Sequence, residues 1–234
     1  MSQPTVTSCN LCGNLLGSAF RDLTPDEINE ISEQKSCVFF KKGQILIQEG
    51  SRPHGVYCIH HGKAKLFKLG SGGKEQIIRF AKDGDLIGYR SLLSGETISA
   101  SVAALDDLHA CFIPKNALFS LIEENPKFSL HLMKMACHEL GEAGRLITNL
   151  AQKTVRERLA EVLLLLHHTF GNDPDGNLNV PLTREEIANM VGTATESVIR
   201  LLSEFKQEGH IALNGRKIRL EDTSALVRIG NVYD

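Results

Sequence analysis

The chain has 234 residues, a formal net charge of −2 and 42% apolar residues. That length allows one large domain or, better, two, with a substantial core. The charge balance excludes a polycation, so any nucleic-acid binding must use a local surface. No apolar run approaches the roughly 18–20 residues that span a bilayer, and the opening MSQPTVTSCN lacks the apolar stretch of a secretory signal. Six cysteines (Cys9, Cys12, Cys37, Cys58, Cys111 and Cys137) without an export signal read as reduced thiols, which places the chain in the cytoplasm with no membrane partner.

Residues 1–23 read as a tail. Thr24-Pro25-Asp26-Glu27 then starts a short helix: Thr24 as N-cap, Pro25 at the first helical position, Glu27 completing a capping box. From about Cys37 to Pro114, segments such as QILIQ, GVYCIHH, KAKLFKL, EQIIRF and SASVAAL are separated by glycines at nearly every corner. Closely spaced short strands with turn signals predict a β-sandwich or small antiparallel barrel within a domain over 24–125.

Pro126 opens a long helix over 126–151. Met133, Ala136, Leu140, Ala143, Ile147 and Leu150 recur at alternating spacings of three and four, the a/d seam of a coiled coil. A helix packed on its own domain has a broader apolar stripe; the narrow seam, bordered by Lys134, Glu139, Glu142 and Arg145, favours a parallel partner helix and hence a homodimer. Gln152 to Phe170 reads as a further helix with Leu163 to Leu166 in the core, opening a domain over 152–234. Gly171 to Gly176 reads as a loop.

Thr183-Arg184-Glu185-Glu186 is a capping box opening one helix, with Ile187, Met190 and Val191 on its buried side. Gly192 suits a tight turn at positive φ. Thr193-Ala194-Thr195-Glu196 reads as a second capping box opening a second helix, with Ala194, Val198, Leu201, Leu202 and Phe205 on its core face and Thr195, Glu196, Ile199, Arg200 and Ser203 opposite. Glu196 and Arg200 also suit a surface i,i+4 ion pair. Asn214-Gly215 is a type I′ hairpin signal between Ile211–Leu213 and Arg216–Leu220. Two helices at this spacing followed by a basic hairpin form a winged helix-turn-helix, which delivers a helix to the DNA major groove. Chemistry assigns the roles. Arg200 suits guanine O6 and N7, Glu196 cytosine N4, and Ile199 a thymine methyl. Thr183 and Arg184 at a helix N-terminus suit a phosphate, as do Arg216 and Lys217 on the hairpin.

On these motifs the chain resembles the CRP/FNR family of bacterial transcription regulators over nearly its full length. The stretch TREEIANMVGTATESVIR, Thr183 to Arg200, is similar to the family's DNA-reading motif, with Glu196 and Arg200 where the family's base-reading Glu and Arg sit. The resemblance implies an α+β fold: an N-terminal β-roll (a double-stranded β-helix or jelly roll) of the cyclic-nucleotide-binding type, a long dimerisation helix, and a C-terminal winged helix-turn-helix. It implies a homodimer on palindromic double-stranded DNA with TTG-like half-sites, RNA polymerase as a further partner, and a small-molecule or redox effector. Thr195 stands where cyclic-AMP-type members carry another base-reading Arg, and Ile199 replaces the Ser of the FNR type.

The family's phosphate cassette falls in Asp85 to Ala104, making Gly88, Tyr89, Arg90, Ile98 and Ser99 the candidate effector pocket. Members that bind cyclic AMP carry a Glu after the glycine and an Arg before the Ser. Here those positions hold Tyr89 and Ile98, and Arg90 stands on another offset. A buried phosphate would lack its strongest partner, so cyclic AMP is not expected; an empty or filled core, or a different ligand, is. The oxygen-sensing FNR type carries an N-terminal C-x2-C, a third Cys six residues later and a distant Cys on the roll. Cys9, Cys12 and Cys111 match, but the third position is Ser18, leaving the set one thiolate short of an iron–sulfur cluster. Cys9 and Cys12 as solvated tail thiols, with Cys111 as a small core residue, is the expectation, and no cofactor or metal. A cluster (with Cys37 as a fourth thiol), zinc or a thiol redox switch are the alternatives. His60 and His61 point to opposite strand faces and cannot share a metal. No catalytic constellation appears. The competing functional reading is a jelly-roll ligand-binding module or enzyme whose C-terminal helices mediate protein contacts.

Overall fold

The computed structural model describes Cys9 and residues 12–232. The chain divides into two compact units, Met1–Lys68 with Ile78–Gly141, and Leu69–Ile77 with Glu142–Asp234.

The β-roll is present as two four-stranded sheets. One has the order β1 (Ser36–Phe40), β8 (Leu108–Pro114), β3 (Gly55–His61), β6 (Leu86–Ile87); the other β2 (Ile45–Ile47), β7 (Ser101–Ala104), β4 (Ala64–Leu69), β5 (Glu75–Ala81). β8 pairs antiparallel with β1 and β3, and β7 with β2 and β4. Inward positions such as Ile59, Leu66, Ile87, Val102 and Ala110 fill one core, the burial that drives the fold.

A second core lies under the helices. Helix α1 (Pro25–Gln34) starts with the expected Thr24–Glu27 capping box and buries Ile28 and Ile31. A short helix α2 (Tyr89–Ser94) follows Gly88. Helix α3 (Lys115–Glu124) was not anticipated: its N-cap is Pro114, with no side-chain cap to announce it. Helix α4 (Pro126–Gln152) buries Phe128 and Leu132, and Asn125 Oδ1 accepts from the Phe128 amide at 3.0 Å. Of the stretch expected as tail, the described residues from 12 to 23 reach this core. Ala19, Phe20 and Leu23 are buried, and the Phe20 ring stacks on Phe128 at 5.7 Å. Burying one such phenyl ring contributes about 1.5–3 kcal/mol toward offsetting the entropy lost in ordering the segment.

In the second unit, helix α5 runs Val155–Phe170, three residues later than Gln152. Thr154 forms a capping box with Glu157, so α4 ends and α5 starts across Lys153 and Thr154. Leu163 and Leu166 are buried, but Leu165 is exposed. Helix α6 (Arg184–Val191) and helix α7 (Thr195–Gln207) flank Gly192, which adopts φ +71° as the turn requires. Strands β9 (Ile211–Asn214) and β10 (Lys217–Leu220) form the wing, and an unanticipated helix α8 (Thr223–Gly230) closes the unit. Asn214 pairs with Lys217, so the loop is Gly215-Arg216 and only Gly215 has positive φ. The type I′ turn needs positive φ at both central residues; a lone glycine at the first is the type II′ pattern.

Candidate functional site

Helix α7 has two faces. Val198, Leu201, Leu202 and Phe205 are buried, leaving Glu196, Ile199, Arg200 and Ser203 exposed and Thr195 half-buried on the other side. Ile199 is 49% exposed, an isoleucine presented to solvent rather than packed. Two expectations fail here. Ala194 is exposed, not core, because it is the N-cap itself. Thr193 is not that cap: its amide bonds back to Ala188 O at 3.1 Å, closing α6. The first N–H groups of α7 therefore have no side-chain cap. Nor does Arg200 pair with Glu196. It pairs with Glu204 at 2.5 Å, one turn further on, and Glu204 also meets Arg156, whose guanidinium lies 4.7 Å over the Phe205 ring.

The residues assigned to phosphates are braced differently from one another. Thr183 is tied into its capping box with Glu186. Arg184 donates to Gly215 O at 2.9 Å and Arg216 O at 3.3 Å, fixing α6 to the wing; burial holds its guanidinium below the usual value. Lys217 bonds Asp173 at 3.0 Å and Asp175 at 3.2 Å, so the lysine is neutralised within the chain. Arg216 is exposed at the wing tip, with no side-chain partner among the described residues.

In the β-roll, Gly88, Tyr89, Arg90, Ile98 and Ser99 line one cavity, as expected of an effector pocket, together with Arg79 and Glu139. The cavity is about 30 Å³, room for about two waters. Ile98 is buried there, where a phosphate would need a cation. Two arginines do reach the site, and Glu139 of α4 takes both. Arg79 pairs with Glu139 Oε1, Arg90 Nε lies 3.0 Å from Oε2, and the Tyr89 hydroxyl donates to Oε1 at 3.0 Å. Burial, then the Glu139 charge, pushes the Tyr89 hydroxyl well above its usual range, so it stays a donor. The sequence pattern makes Glu139 a seam-bordering charge, yet its side chain is only 9% exposed. The missed signal is periodic: Phe128, Leu132, Met135 and Glu139 recur at spacings of four, three and four on the inward stripe.

The thiols converge more than their spacing suggests. Cys111 on β8 is the register partner of Cys37 on β1 and of Cys58 on β3, so the three form a row on one sheet face. Cys37 and Cys111 Sγ atoms are 3.6 Å apart. Cys9 and Cys12 are half-buried rather than solvated, and with Cys58 and Cys111 they line a largely apolar cavity of about 40 Å³. His60, two residues along β3 from Cys58, lines it too, with Nδ1 3.4 Å from Cys12 Sγ; His61 is exposed on the opposite face. Burial pushes the Cys111 thiol up to about 12, against the pull of Lys35, and burial followed by Cys111, Cys12 and Cys9 pushes Cys58 higher still. Cys58 is the cavity thiol that sequence spacing missed. Among the described residues, no three His, Cys, Asp or Glu side chains are placed to hold a single metal ion.

The seam residues of α4 are largely uncovered. Met133, Leu140 and Ile147 are 59%, 72% and 69% exposed, Ala143 is exposed and Leu150 is 38% exposed, while Ala136 leans on the second core. No described helix is long and apolar enough to cross a membrane.

Residues 37–125 match the cyclic nucleotide-binding domain model, and residues 157–229 the Crp-like helix-turn-helix domain model. The chain is 30% identical over 207 residues to the fumarate and nitrate reduction regulatory protein of Escherichia coli K12, covering 87% of this chain and 81% of that one. It is 28% identical over 211 residues to the CRP-like cAMP-activated global transcriptional regulator of Mycobacterium tuberculosis, covering 89% and 94%. The solved structure of FixK2 from Bradyrhizobium japonicum superposes with a TM-score of 0.77 at 25% identity, covering 86% of this chain and 99% of that one. These relatives are regulators rather than enzymes, and with a roll, a long helix and a winged helix-turn-helix in the same order, the chain belongs to the CRP/FNR family of transcription regulators.

Proposed function

We propose that the protein works in the cytoplasm as a homodimer on palindromic DNA with TTG-like half-sites, that it contacts RNA polymerase, and that its roll takes an effector other than cyclic AMP. The exposed face of α7 carries this reading. Arg200 reads guanine, Glu196 accepts from cytosine, and Thr195 and Ile199 meet neighbouring bases through methyl contact. Arg216 at the wing tip reaches a phosphate, the uncapped N–H groups of α7 suit a second, and Thr183, Arg184 and Lys217 act chiefly as braces. The uncovered stripe Met133–Leu140–Ala143–Ile147–Leu150 supports dimerisation through α4, because an apolar helix stripe left in water is unfavourable unless a partner covers it. Glu139 supports the exclusion of cyclic AMP: it already neutralises Arg79 and Arg90, and no further cation lines the pocket.

To read guanine, Arg200 must leave Glu204. An exposed i,i+4 pair is worth only about 0.3–0.5 kcal/mol, against about 1–3 kcal/mol for a good bidentate base contact, so DNA wins. Arg200→Ala is expected to weaken binding by roughly 1–3 kcal/mol per half-site and to flatten the preference for guanine over its substitutes. If mutant and wild type tolerate every guanine substitution alike in a mobility-shift titration, the role of Arg200 is wrong.

A further inference from the structure

We propose that Lys74 and Gln76 are positioning residues for the DNA-reading helix: from the β4–β5 hairpin they fasten the turn between α6 and α7, and so set the direction in which α7 leaves it. The proposal rests on the reading that α7 meets DNA, not on any particular half-site.

Helix α7 does not fix its own start. Its N-cap is Ala194, with no side-chain cap, so its direction is inherited from the turn before it. That turn begins with the last carbonyls of α6, which have no partner further along the helix. Ala188 O takes the amides of Gly192 and Thr193, at 2.9 and 3.1 Å. Three further carbonyls are taken by side chains from outside both helices. Gln76 Nε2 donates to Met190 O at 3.3 Å, Arg158 Nε to Val191 O at 2.8 Å, and Lys74 Nζ to Thr193 O at 2.7 Å. Met190 and Val191 are buried, where an unpaired carbonyl is costly. The two cations also stand at the negative end of the α6 dipole, where positive charge is favourable.

Arg158 comes from the neighbouring helix α5, but the hairpin donors come from far away in the chain. Lys74 and Gln76 lie 119 and 114 residues before their acceptors. The segment Leu69–Ile77 that carries them groups with the second unit. Their spacing of two puts both on one side of an extended chain. The hairpin tip is closed by the Gly70 amide on Lys74 O and the Gly73 amide on Gly70 O, both at 2.9 Å, which fixes the backbone that presents them. Gln76 also lies against the turn itself: a Cβ on Gly192 would meet its Oε1 at 3.5 Å.

The consequence for DNA follows from precision. Base edges must be met within about 0.5 Å, whereas the sequence-independent attraction to phosphates depends on charge. A loosened turn must be re-ordered each time α7 reads bases. That cost falls on specific binding and spares non-specific binding.

The test uses the full chain and two duplexes: one that wild type selects from a random pool, and a scrambled duplex of the same length. Both are titrated by fluorescence anisotropy over a range of salt. Lys74→Ala/Gln76→Ala is expected to weaken binding to the selected duplex by about fivefold or more, the order of one net hydrogen bond. Binding to the scrambled duplex should stay within about twofold, with the salt slope on both duplexes unchanged. Lys74→Arg, which keeps a donor, and Ser71→Ala at the hairpin tip should bind as wild type. Without DNA, amide hydrogen exchange over residues 192–200 should quicken in the double variant. If that variant melts below the titration temperature, Lys74→Ala and Gln76→Ala, each keeping one donor, are measured in its place against the same expectations. Unchanged binding to the selected duplex, or unchanged exchange, overturns the proposal. So does an equal loss on both duplexes with a slope shallower by about 0.9 per chain, which would make Lys74 a direct phosphate contact. A wild type that selects no duplex sinks the DNA reading instead, and the exchange measurement still decides whether the hairpin holds the turn.

Discussion

Glu139→Gln tests whether the carboxylate of α4 latches the candidate effector pocket. The substitution keeps shape and an acceptor for Tyr89 but removes the charge facing Arg79 and Arg90. Hydrogen bonds to charged groups are worth about 1.5–3 kcal/mol each. Glu139 is 9% exposed, whereas Arg79 and Arg90 are 33% and 45% exposed, so water recovers much of the loss for the arginines. A net cost of about 2 kcal/mol follows, within the range for breaking partly buried charged hydrogen bonds. In a protein of this size that lowers the melting temperature by about 4–8 °C. Differential scanning calorimetry reads the shift, and sulfate titration supplies a second measure: the freed arginines should let sulfate stabilise the variant more than wild type. A double-mutant cycle with Arg79→Gln isolates the pair. A melting point within about 1 °C of wild type, with no coupling in the cycle, would refute the latch.

Two further outcomes concern stability. Gly192→Ala places a Cβ at φ +71° and 3.0 Å from Leu150 Cδ2, and is expected to cost about 1–2 kcal/mol or more in chemical denaturation; an unchanged midpoint would mean that the turn relaxes freely. Burial raises the Asp85 carboxyl above its usual range, although the Lys82 amide pulls it down. A folded pKa above the unfolded one means that the ionised form costs stability, fully so above the folded pKa and not at all below the unfolded one. Asp85→Asn, which keeps an acceptor for the Lys82 amide, should therefore be more stable than wild type at pH 7. The difference should vanish as pH falls below the ordinary aspartate range, and an advantage that persists there would contradict the burial argument.

The DNA-reading unit was legible because its signals are local. Two of its helices open with or follow Thr and Gly signals, and the buried face of α7 follows from a 3.6-residue period. Even so, the spacing of Thr193 to Glu196 fits a cap that does not form; what displaces it is the competing bond from the Thr193 amide to Ala188. The candidate control sites are less legible because they depend on pairing between distant strands. Nothing near Cys58 announces that it will face Cys111; only the β3–β8 register does. Arg79 enters the candidate effector pocket from β5 for the same reason. Helices α3 and α8 escaped notice because neither carries a Ser/Thr-x-x-Glu opening.

Adjacent helix residues point about 100° apart, so Glu139 facing the roll turns Leu140 outward, where it is 72% exposed. The Arg79 and Arg90 contacts thereby fix the rotation of α4 about its axis in this stretch, and with it the direction of the apolar stripe. A latch worth about 2 kcal/mol leaves the released state at about 3% of molecules, since 1.4 kcal/mol is a factor of ten. A signal that frees the helix must bind the released state about thirtyfold more tightly merely to bring it to half. An anion small enough for the pocket of about 30 Å³ that competes for Arg79 and Arg90 would favour the released state through the same charges that now hold Glu139. An apolar ligand entering the roll would not, because it gains nothing from their release.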